Sequence, residues 1–117
     1  MKTFNIADLD QFYGSENLYR HAIACDVTYT DGVQFLAEKA GAYWLIDEIA
    51  LMQRDPILAG EEFQVWHLLV VGTAGHLTCD DGDGKVIYEK TITYTDFPAP
   101  GVKLYVTGGV IMLPTEY

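Results

Sequence analysis

The spacing of the apolar residues changes once along the chain, and that change does most to limit the fold. Up to about Arg54 they recur every three or four positions, as on a helix face. From about Glu62 the chain turns to β-branched and aromatic residues broken by turn signals. Helices first and strands afterwards predict an α+β domain, not the alternation that builds a parallel sheet. No Ser-Gly or Pro-rich linker divides the 117 residues, so 1–117 is read as one domain. Half of the residues are hydrophobic, enough to offset chain entropy and exclude disorder.

The first half carries its own start and stop signals. Residues 8–13 place Leu9 and Phe12 on one face of a short helix that stops at Gly14. From Tyr19 to Tyr29, Ile23, Cys25, Val27 and Tyr29 alternate, which favours a strand or extended segment. Thr30 or Asp31 can cap a helix over 31–39, with Gln34 three residues after Asp31 as in a capping box. Gly41 predicts a kink or an end. Trp44, Leu45, Ile49 and Met52 then stripe a second helix over 42–54, closed by Asp55-Pro56.

In the second half, Phe63 to Val71 reads as a strand near the sheet centre, ending at Gly72. The Asp80-Asp81-Gly82-Asp83-Gly84 turn between strands over 76–79 and 86–94 is the strongest hairpin signal in the chain. Pro98-Ala99-Pro100-Gly101 ends the third strand, 102–106 is a fourth, and Gly108-Gly109 reverses the chain into 110–113 before Pro114. The simplest arrangement is two-layered: a five-stranded antiparallel meander over 62–113, covered on one face by the helices.

Charge and length narrow the function. A formal net charge of −10 disfavours nucleic-acid backbones, which need a cationic face. Apolar runs fall far short of the ~18 residues that cross a bilayer, and the N-terminus shows no uninterrupted apolar signal region, which predicts a cytoplasmic protein and no membrane partner. Two cysteines, Cys25 and Cys79, are too few for a disulfide scaffold and are read as free, packed thiols.

Each chemical motif has a simpler structural reading. Asp80, Asp81 and Asp83 offer hard oxygen ligands, but their spacing does not fit an EF-hand and suits a hairpin turn. His21, His67 and His76 show no metal-ligand pairing, and Cys25 with His21 and Asp26 in an extended stretch need not converge as a nucleophile and base. Phosphate loops, nucleophile elbows and dinucleotide fingerprints are absent, so no catalytic residue, metal or cofactor is assigned. Tyr13, Tyr19, Tyr29, Tyr43, Trp44 and Trp66 suit core packing, and would mark a contact surface if exposed together.

The strings Tyr29-Thr30-Asp31-Gly32-Val33, Leu36-Ala37-Glu38-Lys39-Ala40-Gly41-Ala42-Tyr43-Trp44-Leu45, Phe63-Gln64-Val65-Trp66, Tyr94-Thr95-Asp96-Phe97-Pro98 and Met112-Leu113-Pro114-Thr115-Glu116-Tyr117 resemble an uncharacterised family of short proteins from bacteria, phages and plasmids, catalogued as a domain of unknown function. The resemblance runs over nearly the whole chain. It implies a whole-chain domain and a mobile-element setting, and it supplies no functional residue.

The reading is thus a protein of unknown function, a non-catalytic acidic interaction module that binds a protein partner through an aromatic or acidic face. Asp80, Asp81 and Asp83 are its acidic-patch candidates. Folded onto one face, such charge attracts a cationic nucleic-acid-binding protein, as a DNA mimic does. An exposed terminal strand predicts a homodimer. The alternative is a small-ligand-binding protein or unrecognised enzyme with a pocket between helices and sheet, walled by Tyr43, Trp44, Asp47 and His67.

Overall fold

In the computed structural model, which describes Leu9, Gln11 and residues 17–117, the helical spacing of the first half becomes three helices. The short helix expected over 8–13 falls outside the described residues, apart from Leu9 and Gln11. Helix α1 spans Asp31–Ala40. Thr30 is its N-cap, accepting from the Val33 N–H, and Gly41, at φ 63°, ends it by returning its N–H to the Ala37 carbonyl. The expected partner of this cap, Gln34, is replaced by Glu116 from the far end of the chain. Its carboxylate accepts from the Thr30 hydroxyl (2.6 Å) and from the backbone N–H groups of Gly32 (3.2 Å) and Leu113 (2.9 Å). A carboxylate beside free N–H groups at a helix start is favoured by the helix dipole.

Helix α2 spans Tyr43–Met52 and buries Leu45, Ile46, Ile49 and Ala50. It stops before the proline expected to close it. Asp55 instead accepts from the Ile57 N–H and caps a short helix α3, Pro56–Ala59, with Pro56 in the first turn where a missing N–H costs nothing.

Among the described residues the sheet has seven strands: β1 Leu18–Arg20, β2 Thr28–Thr30, β3 Phe63–Val71, β4 Ala74–Asp80, β5 Val86–Ile92, β6 Gly101–Thr107 and β7 Val110–Met112. Their order is β1-β2-β7-β6-β3-β4-β5, antiparallel except for β2 beside β7. Two features depart from the expected five-stranded meander. First, the segment 19–29 is not one extended run but two short strands around an irregular loop, where the His21 ring accepts from the Ile23 and Ala24 N–H groups and turns the chain. Second, β6 does not follow β5 outward but returns to pair with β3. A meander would have left the long, apolar β3 at an edge with unpaired backbone groups. Pairing with both β4 and β6 places it in the interior instead.

Alternation along β3 buries Gln64, Trp66, Leu68 and Val70. Their register partners Leu77, Cys79, Val102, Leu104 and Val106 are buried too. Helix α2 and Gln53, the residue that caps its end, reach this buried side. The Glu48 carboxylate accepts from the Tyr88 hydroxyl (2.7 Å) and the Lys90 ammonium (2.9 Å) of β5, and the Gln53 amide pairs with that of Gln64. Burial pulls the Glu48 carboxyl upward, but those two donors prevail and hold it below the usual carboxylate range. Tyr88, half-buried beside this carboxylate, is pushed up to about 12 by desolvation and then by Glu48.

Candidate functional site

Strand direction fixes which loops share an end of the sheet. Phe63 pairs with Thr107, Val65 with Asp80, and Asp80 with Val86, so the α3–β3, β4–β5 and β6–β7 connections emerge side by side. Gly82 sits so close to Phe63 that a Cβ there would meet the ring at 2.8 Å. This end carries Glu61, Glu62, Asp80, Asp81 and Asp83, opposed in the same loops by Lys85.

The Asp80–Asp83 stretch is organised as a turn. Asp80 Oδ1 accepts from the Gly82 N–H (2.7 Å), and Asp81 Oδ1 from the Asp83 (2.9 Å) and Lys85 (3.2 Å) N–H groups. The Asp83 and Lys85 amides hold the Asp81 carboxyl below its ordinary range. Among the described residues no group of three or more His, Cys, Asp or Glu side chains is arranged to hold a metal ion.

On the helix side of this end lies a recess of about 460 Å³, lined by Glu61, Glu62, Gln53, Gln64 and the turn at 107–109. Its floor is a closed amide network. Gln53 and Gln64 exchange hydrogen bonds at 2.8 and 2.9 Å, and Gln64 Oε1 also accepts from Trp66 Nε1 at 2.9 Å. The remaining Gln64 N–H capacity reaches the carbonyls of Leu58 (3.4 Å) and Glu61 (3.3 Å). Nearby, burial together with the Asp80 and Glu61 charges pushes the Cys79 thiol up to about 12, which makes it a packing group and not a nucleophile.

The residues expected to wall one pocket are dispersed. Tyr43 is exposed, its hydroxyl 3.5 Å from Glu38 Oε1. Trp44 borders a separate cavity of about 370 Å³ with Ile92, Tyr94 and Asp96. Asp47 accepts at 2.7 Å from His21 Nε2, which carries the proton because Nδ1 is the acceptor for two backbone N–H groups. His67 points to the face of β3 opposite Trp66 and lines a third cavity. These four side chains therefore do not converge. The buried His21 also has no lone pair left for Cys25, which is exposed and not packed as expected; both cysteines are free.

The aromatic residues do not form one exposed surface either. Trp66 is buried, Trp44 half-buried, and Tyr19 stacks on Tyr29 at 5.7 Å, while Tyr13 lies outside the described residues. A cluster of Phe63, Tyr105 and Tyr117, with ring centroids 5.1 to 5.6 Å apart, was not legible because β6 had not been placed beside β3. The recess residues Gln53 and Gln64 were also missed. The only sequence signal is Gln64, a glutamine at an inward position of an apolar strand; Gln53, at the end of α2, carries none.

Fold and recess together define an α+β protein with a seven-stranded, mostly antiparallel sheet and an acidic pocketed end. The chain belongs to a family of unknown function, DUF6876, whose model matches residues 3–117. No curated protein and no solved structure matches it.

Proposed function

We propose that the chain is a non-catalytic, cytoplasmic interaction module that docks a basic protein surface on the acidic end of its sheet. The observation that carries this reading is the recess of about 460 Å³ bordered by Glu61 and Glu62, with Asp80, Asp81 and Asp83 on a turn at the same end of the sheet. A lysine or arginine of the partner enters the recess while its neighbours meet the rim carboxylates, an arrangement that favours encounter and orientation over raw affinity. The amides at the floor are held by one another, so the recess offers shape and charge, not a reactive group. Two free thiols suit a reducing compartment.

An oligo-lysine peptide tests the surface. Binding at low salt is expected to weaken by roughly tenfold in the D80N/D81N/D83N variant, the yield of a few exposed charges acting together, and to fall as salt rises. A control that removes three carboxylates elsewhere, E38Q/E89Q/D96N, is expected to change it much less. Equal weakening by both variants would mean diffuse attraction to net charge and would overturn the reading. The homodimer belongs to the same proposal, but its edge moves: β7 is covered by β2 and β6, leaving β1 and the longer β5 at the two sides of the sheet among the described residues. A monomeric mass by sedimentation across a wide concentration range removes the dimer.

A further inference from the structure

We propose that the cavity beside the first half of β6 binds a small carboxylate with an apolar body. β7 pairs with β6 only over 105–107, because the chain then leaves the sheet at Leu113 for the 3₁₀ turn Pro114–Glu116. Among the described residues no strand lies on that side of β6 over 101–104. The space left is a cavity of about 290 Å³, and its walls are mainly apolar, with Leu9, Val102, Leu113 and Pro114 among them.

Two nitrogen-bearing side chains border this apolar space. His67 of β3 and Lys103 of β6 are register partners, so they stand side by side on the face opposite Trp66. Among the described residues neither makes a hydrogen bond or an ion pair, in a chain with seventeen carboxylates and seven lysines and arginines. An ammonium and a ring N–H next to each other can both donate to one carboxylate, which accepts through two oxygens. At ~30 Å³ per water-sized group the cavity holds a body of about ten such groups, the scale of a benzoate or a short-chain fatty acid and well below a full lipid chain. Apolar walls with a few placed polar groups are the usual make-up of a small-molecule site. The site lies apart from the acidic recess and does not depend on it.

Calorimetric or NMR titration with benzoate tests the assignment, with benzamide and acetate as comparison ligands. Benzoate is expected to bind saturably, and benzamide and acetate each at least about tenfold more weakly, because one lacks the charge and the other the apolar body. Lys103→Gln and His67→Gln are each expected to weaken benzoate by roughly tenfold while leaving benzamide unchanged, a selectivity that a general loss of structure would not produce. Lys103 is exposed, so its variant keeps the fold and carries the test even if His67→Gln does not fold. The proposal is overturned by an absence of saturable benzoate binding to the wild type, by acetate binding as well as benzoate, or by binding that Lys103→Gln leaves intact.

Discussion

Gly101→Ala is expected to destabilise the protein by at least about 3 kcal/mol, a large share of the roughly 5–15 kcal/mol that holds a domain of this size together. Gly101 opens β6 at φ 112°, a conformation that a side chain strongly disfavours. A Cβ there would lie 1.7 Å from the Leu68 carbonyl oxygen and 2.7 Å from its carbon. Those are backbone atoms of the central strand, so relief requires β6 to move off β3 and the ladder between them to break. Gly60→Ala provides the control, since a Cβ at that position meets nothing within 4 Å. It is expected to stay within about 0.5 kcal/mol of the wild type in urea denaturation, whereas Gly101→Ala loses roughly 10 °C or more in thermal unfolding. A Gly101→Ala protein with wild-type stability would mean that β6 does not approach β3 as described.

Gly101 also shows where sequence stops informing. The run Pro98-Ala99-Pro100-Gly101 is legible as the end of a strand, because proline and glycine act locally. That the same glycine lets β6 cross back against β3 is not, since strand order depends on residues more than thirty positions apart. The same division runs through the molecule. Thr30 as a cap, Gly41 as a helix stop and the Asp-Gly turn are local devices, and each is found where its chemistry predicts. The Glu116 carboxylate on the start of α1 is not local, and only the closed fold brings it there. Glu61, Glu62, Asp80, Asp81 and Asp83 were visible as charges, while their place at one end of the sheet awaited the β3–β4 register. Pocket walls suffered most. Tyr43, Trp44, Asp47 and His67 were grouped by chemical type, yet the two-residue period of β3 sends His67 to the other face from Trp66.

The buried amide at position 64 supplies the second large expected effect. Gln64 is 1 % exposed, and its side chain bonds Trp66 Nε1, both ends of the Gln53 amide and the carbonyls of Leu58 and Glu61, while Gln53 Nε2 also donates to the Ile49 carbonyl at 3.1 Å. Leucine has a similar volume and would suit an inward strand position, so transfer energy by itself favours Gln64→Leu. The decisive term is what the substitution leaves behind. The indole N–H and the Gln53 Oε1 lose their partner in a dry setting, at about 1–3 kcal/mol for each unsatisfied group, while the Gln53 N–H keeps the Ile49 carbonyl, against a modest gain from the added apolar surface. Gln64→Leu is therefore expected to cost about 3 kcal/mol in urea denaturation, and Gln53→Leu somewhat less, because Gln64 keeps Trp66 Nε1 and the Leu58 and Glu61 carbonyls as partners. The double variant Q53L/Q64L then discriminates between mechanisms. If stability is lost through orphaned polar groups, removing both amides at once costs clearly less than the sum of the single changes, a coupling of about 1 kcal/mol or more. Strict additivity would instead show that the two glutamines contribute separately through packing, and the closed amide floor beneath the acidic recess would not be what joins α2 to β3.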